Sequence, residues 1–204
     1  VIWSSGATGQ IRGPQRQPAA QQRDGRGGSG GTQTLFLSVL LLMLSTGWVA
    51  NHFVALMPLI SDRQHLSATT LDAVFGIYAL GLMPGLLIGG RTSDALGRQS
   101  VALAGSTTTV VGTVAMLLSQ HADVLLAGRL IVGVGVGLAM TSCTAWASDL
   151  KGPAGAATAG AVLIAGFAIG PFAGGLIARA GQPGVGMSFG FAAAIVVAAI
   201  GFTV

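Results

Sequence analysis

Glutamate does not occur in this chain of 204 residues, cysteine and tyrosine occur once each, and charged residues of every kind make up only 8%. Soluble domains usually carry about 25% charge, so a water-soluble globule is all but excluded. The lone Cys143 has no internal disulfide partner, and neither cysteine nor histidine stands at metal-ligand spacing from it. We therefore expect no metal, no cofactor and no redox chemistry. Ten basic against six acidic residues leave a net charge of +4, but the basic residues outside the first 26 positions are scattered singly between apolar stretches. That pattern lacks the basic, aromatic-laced surface of a nucleic-acid binder.

What is abundant is glycine, 33 residues, and hydrophobic side chains, 51%. The glycines show no every-third-residue period, which excludes a collagen-like chain, and they sit inside apolar runs where helices need to touch. Residues 1–33 are rich in Gly, Gln, Arg, Ser and Pro and read as a disordered cytoplasmic leader or a reading-frame artefact. From 34 to 204 the chain reads as an all-α membrane unit. A bilayer crossing takes about 20 apolar residues, and six such spans are expected at about 35–59, 71–90, 100–119, 124–146, 155–178 and 185–204. Asp72, three residues after Thr69, reads as a capping box opening the second span.

Placing the leader in the cytoplasm puts Arg12, Arg16, Arg23, Arg26, Arg91, Arg98 and Lys151 inside and Arg63 and Arg179 outside. Seven against two predicts a multi-pass protein of the cell membrane with a cytoplasmic N-terminus; without the leader the count is three against two. Arg129 then lies within the fourth span, about 9 Å below its outer end. A charge at that depth either faces a cavity inside the bundle or snorkels to the surface.

Three stretches carry the functional signal. The break after the second span holds Gly90, Asp94, Gly97 and Arg98, with two glycines for a tight turn and two charges able to pair. In the fourth span Leu125, Arg129, Gly133 and Gly137 recur every four residues along one helix face. The fifth span carries Gly166, Gly170, Pro171, Gly174 and Gly175, a groove for a neighbouring helix beside a proline that cannot donate to the Phe167 carbonyl and should bend the helix.

In this order and on these spans, the motifs resemble those of the major facilitator superfamily. Gly90, Asp94, Gly97 and Arg98 match its loop motif, Leu125, Arg129, Gly133 and Gly135 its fourth-span motif, and Gly166 to Gly175 the motif of its drug:proton antiporters. Ala95 and Gln99 stand where the loop motif usually has further basic residues. The resemblance implies one six-helix half of a transporter that works by alternating access, exchanging small molecules for protons, with efflux as the direction. It implies that Asp94 and Arg98 act as a conformational latch, that the fifth span shapes the interface between halves, and that Arg129 helps couple proton movement to exchange. The expected partners are the lipid bilayer, a small-molecule substrate, protons, and either a missing C-terminal half or a second copy.

No aspartate falls in the middle of a span, so the proton carrier is not an obvious carboxylate. Asn51 and His52, about 12 Å from the outer end of the first span, are expected to line the cavity near Arg129. A neutral, hydrogen-bonded His52 is the plainer alternative. Tyr78 could contact an aromatic or cationic substrate. An enzyme is not expected, because no serine motif points to His52 as a base. The competing account is a truncated, non-transporting fragment or a self-associating half-size protein, suggested by a start at Val1 and a sixth span that runs to Val204.

Overall fold

The computed structural model describes residues 25–204, which form five helices: α1 (Gly25–Gln64), α2 (Ala68–Leu96), α3 (Arg98–Leu118), α4 (Ala122–Ala178) and α5 (Gln182–Thr203). All five are long and apolar enough to cross a membrane. Their connections are between one and three residues long, so the chain reverses at each of them.

Five helices stand where six spans were expected, and α4 accounts for the difference. Its 57 residues would measure about 85 Å if straight, against roughly 30 Å of hydrocarbon. The helix is broken at Lys151 (φ −138°, ψ 19°) and Gly152 (φ 64°, ψ −159°). Gly152 supplies a left-handed φ at no side-chain cost, and Pro153 restarts the helix at a position where no N–H is needed. Two arms, 122–150 and 153–178, therefore fold back on one another. A Cβ on Gly155 would collide with the Ala147 carbonyl, and Leu125 and Ala178, from opposite ends of α4, share one buried cluster. Only two residues leave the helical region, so the two arms, which cover the fourth and fifth expected spans, follow one another with almost no gap.

Two smaller expectations are also corrected. The turn foreseen over 90–98 is confined to Gly97 (φ 93°), and Gly90 lies inside α2 with open space around it. The helix outruns its apolar stretch because Thr92 and Ser93 turn their hydroxyls back to the Ile88 and Gly90 carbonyl oxygens, satisfying themselves within the helix. The N-cap of α2 is Ser67, whose Oγ accepts from the Thr70 N–H at 3.1 Å, not the Thr69/Asp72 pair. The leader expected over 1–33 lies mostly outside the described residues. Its last part, from Gly25, belongs to α1.

Packing centres on α4, which α1, α2, α3 and α5 all touch. Glycines set the spacing. A Cβ on Gly47 would come within 3.0 Å of Gly166 Cα, and one on Gly137 within 2.7 Å of the Leu82 carbonyl oxygen. Such closeness suits a bundle in lipid, where helix association rests on van der Waals contact rather than on escape from water. The buried residues of α2 (Val74, Gly81, Gly85, Gly89 and Ser93) make one narrow stripe, while Leu87 on the opposite face is 74% exposed.

Candidate functional site

Arg129 lies on the first arm of α4, its side chain is buried, and the residue is 1% exposed. The snorkelling alternative is thereby removed. Its guanidinium carbon sits 4.2 Å from the Tyr78 ring centroid and 4.9 Å from that of Phe53, and Nη1 donates to the Ala50 carbonyl oxygen at 3.2 Å. Nε is buried without a partner, and among the described residues no carboxylate pairs with this cation. Beside it opens a cavity of about 240 Å³ lined by Ala50, Asn51, Phe75, Tyr78, Leu82, Arg129 and Phe167. Thus α1, α2 and both arms of α4 contribute to one chamber, and three of the four expected pathway residues stand on its wall.

The fourth, His52, does not line this chamber. Consecutive helix residues diverge by about 100°, and here that turn points the Asn51 amide at the Phe167 carbonyl and the His52 ring toward α5. His52 is fully buried against α5, with its ring edge-on to Phe189 at 5.4 Å between centroids. Its Nδ1 lies 3.0 Å from the Val49 carbonyl oxygen, a bond that requires a protonated Nδ1, and Nε2 has no partner.

Asn51 resolves the proline problem in the second arm of α4. Pro171 has no N–H for the Phe167 carbonyl four residues back. The Asn51 side chain reaches across from α1, and its Nδ2 donates to that carbonyl oxygen at 2.9 Å. A buried carbonyl left bare costs about 1–3 kcal/mol, so this bond repairs in another helix what the proline removes from its own. The glycines around it lie against α1. Gly166 faces Leu44 and Gly47, Gly170 faces Trp48, Gly174 would bring a Cβ to 3.2 Å from the His52 carbonyl oxygen, and Gly175 lies near Ala55.

At the opposite end of the bundle Arg98 pairs with Asp94, as the sequence suggested, and also with a residue it did not single out. Its Nε donates to Asp149 Oδ2 at 2.9 Å, and Nη1 donates to Ser93 Oγ at 2.8 Å. The network ties α2, α3 and the first arm of α4 beside the Gly97 joint. Asp149 lies 51 positions from Arg98, and its place at the end of an apolar span was the only hint available. Among the described residues no group of three or more His, Cys, Asp or Glu is placed to hold a metal.

An apolar helical bundle with a cavity beside a buried arginine and glycine-lined helix contacts defines a class, the multi-pass membrane protein with an internal chamber. The chain belongs to the Major Facilitator Superfamily, whose sequence profile matches residues 35–204. Over 103 residues it is 30% identical to the multidrug resistance protein MdtL of Shigella flexneri serotype 5b (strain 8401), a stretch covering 50% of this chain and 26% of that protein. MdtL of Escherichia coli O139:H28 (strain E24377A / ETEC) is 29% identical over the same length. Among solved structures, the proton:xylose symporter XylE, bound to 6-bromo-6-deoxy-D-glucose, superposes with a TM-score of 0.74 at 16% identity. That match covers 86% of this chain and 44% of XylE. The likeness to XylE shows a shared fold, and the MdtL match spans about a quarter of its relative.

Proposed function

We propose that this chain forms one half of a secondary active transporter that moves small molecules by alternating access, coupled to protons and working in the direction of efflux. In this reading the two arms of α4 count as separate crossings, giving six in the unit 34–204, with the N-terminus in the cytoplasm of a cell-membrane protein. The observation that carries it is the uncompensated Arg129 on the wall of a chamber built from three helices. A bundle does not bury a bare cation next to a cavity for stability, since a charge in the membrane is costly unless it serves a pathway. The MdtL name supports multidrug efflux as the activity class, and the glycine and proline motif of the second arm agrees with drug:proton exchange.

Each candidate residue has a role in this scheme. Asn51, Tyr78 and Arg129 form the substrate side, and His52, on the far side of α1 with a free Nε2, is the candidate proton carrier. Gly90, Asp94, Gly97 and Arg98 belong to the latch, with Asp149 added. Gly166, Gly170, Pro171, Gly174 and Gly175 form the contact with α1 that must hold while the halves rock. A second six-crossing half, from a longer chain or a second copy, completes the central site, since the XylE match covers under half of that chain.

The test is reconstitution into liposomes holding a pH-sensitive dye, with a pH gradient imposed and a panel of neutral, anionic and cationic one-ring aromatics added. Compound-dependent proton movement that disappears in His52→Ala supports the scheme. Proton movement unchanged in that variant rejects His52 as carrier, and no compound-dependent movement with this chain or its paired form rejects transport.

A further inference from the structure

We propose that the chamber beside Arg129 is an anion site that takes a one-ring aromatic carboxylate; this names the substrate class of the cavity above and rests on the transport reading for its biological use. Four observations converge on it. First, the guanidinium is buried and, among the described residues, has no carboxylate partner, while Tyr78 and Phe53 offer only ring faces.

Second, Nη1 is the guanidinium nitrogen engaged with protein, through the Ala50 carbonyl. Nε is unpartnered. With Nε enclosed, a carboxylate in the chamber meets the guanidinium at the part of Arg129 that lines the wall, through a charge-assisted N–H···O bond. Third, the chamber holds about 240 Å³, the volume of about eight liquid waters, which suits one substituted ring and little more. Fourth, its remaining walls are Phe75, Tyr78 and Phe167 for the ring and the Asn51 amide for a further polar substituent.

Charge sets the preference. A cation entering this chamber meets a fixed positive charge in a low-dielectric surround with nothing to offset it, whereas a carboxylate supplies the counter-charge that the guanidinium lacks. The chamber therefore discriminates by sign before it discriminates by shape.

The experiment measures binding of salicylate, by its own fluorescence, to the purified chain in detergent micelles, against its uncharged counterpart salicylamide and against 2-hydroxybenzylamine. We expect salicylate to bind at least about tenfold more tightly than salicylamide, a difference of about 1.4 kcal/mol, and the amine to bind least. Arg129→Gln should abolish the preference and Arg129→Lys should keep part of it. Salicylamide binding as tightly as salicylate, an undiminished preference in Arg129→Gln, or no salicylate binding at all would each overturn the proposal.

Location is tested on the unaltered protein, so failure of a variant to fold leaves the question decidable. Light-activated 4-azidosalicylate should label the peptides of α1, α2 and α4 that line the chamber, the one holding Phe75 and Tyr78 among them, and labelling confined to α3 or α5 refutes the site. Binding without gradient-driven movement in liposomes would sink the transport reading and keep the anion site. Movement of amines without salicylate binding would do the reverse.

Discussion

Arg129 has the unusual property of being buried at almost no structural gain. Its bond to Ala50 and its two aromatic neighbours offset part of the cost of desolvation, but no carboxylate is left stranded when it is removed. Breaking an ion pair strands a charge and costs several kcal/mol, whereas replacing an unpaired buried charge by an apolar side chain of similar length removes a penalty. Arg129→Met should therefore unfold at the same temperature as the parent or higher, measured by thermal denaturation in detergent, while losing salicylate. A drop of several degrees would mean that the guanidinium is a structural tie. The sequence put Arg129 and Asn51 at similar depth by counting residues along their spans, and both stand on the wall of one chamber. It placed His52 with them because adjacency in sequence hides the turn of the helix between neighbours, and only the position of Phe189 on α5 reveals which way His52 faces.

At the scale of the element, the proline of the second arm and the amide of α1 form a single unit. Asn51→Leu keeps the approximate shape and removes the donor without adding a charge beside Arg129, so it should lower the unfolding temperature by roughly 2–4 °C for each kcal/mol lost. Pro171→Ala returns an N–H to the Phe167 carbonyl from within the helix. In that background Asn51→Leu should cost nothing further, and a two-by-two comparison of melting temperatures reads the coupling directly. Equal losses in both backgrounds would show that Asn51 acts through something other than the freed carbonyl.

The glycines of the same arm separate in the same way. Gly166 lies against the α1 backbone, with a Cβ placed 3.0 Å from Gly47 Cα, whereas Gly160 has nothing within 4 Å. Gly166→Ala should destabilise by about 1–3 kcal/mol, and Gly160→Ala should be neutral or stabilising by up to about 1 kcal/mol, both read from thermal melts. The glycine spacing of this arm was legible because a one-faced stripe repeats at the helical period. Which helix it meets was not, since every span offers small residues.

At the scale of the molecule, the spans were readable from hydropathy, and the gap left between 146 and 155 holds the break at Lys151 and Gly152, but the number of helices was not readable. A reversal that spends two residues leaves almost no polar gap. The Arg98–Asp149 bond was hidden for a different reason, because contacts across the bundle are set by how helices pack and not by local pattern. Orientation in the bilayer has a direct test. Cys143 is buried and should stay silent to a membrane-impermeant maleimide, so single cysteines can be added without background. With a cytoplasmic N-terminus, intact cells should label Ala180→Cys and leave Ala95→Cys unlabelled until they are opened. The opposite pattern would invert the topology.

The one-residue joint at Gly97 bears on how such a bundle could move. Its N–H bonds to the Ser93 carbonyl and its carbonyl accepts from Val101, so α2 and α3 are both hydrogen-bonded into the same residue. A hinge needs slack, and this connection has none. Torque applied along α2 is handed to α3 without lost motion, as in a bell crank, and the Arg98 pairs fix the angle of the two levers. Ligand entering beside Tyr78 on α2 is thus geared to α3, which never touches the chamber, and a flexible pair of residues inserted after Gly97 would disengage that gear while leaving the chamber intact.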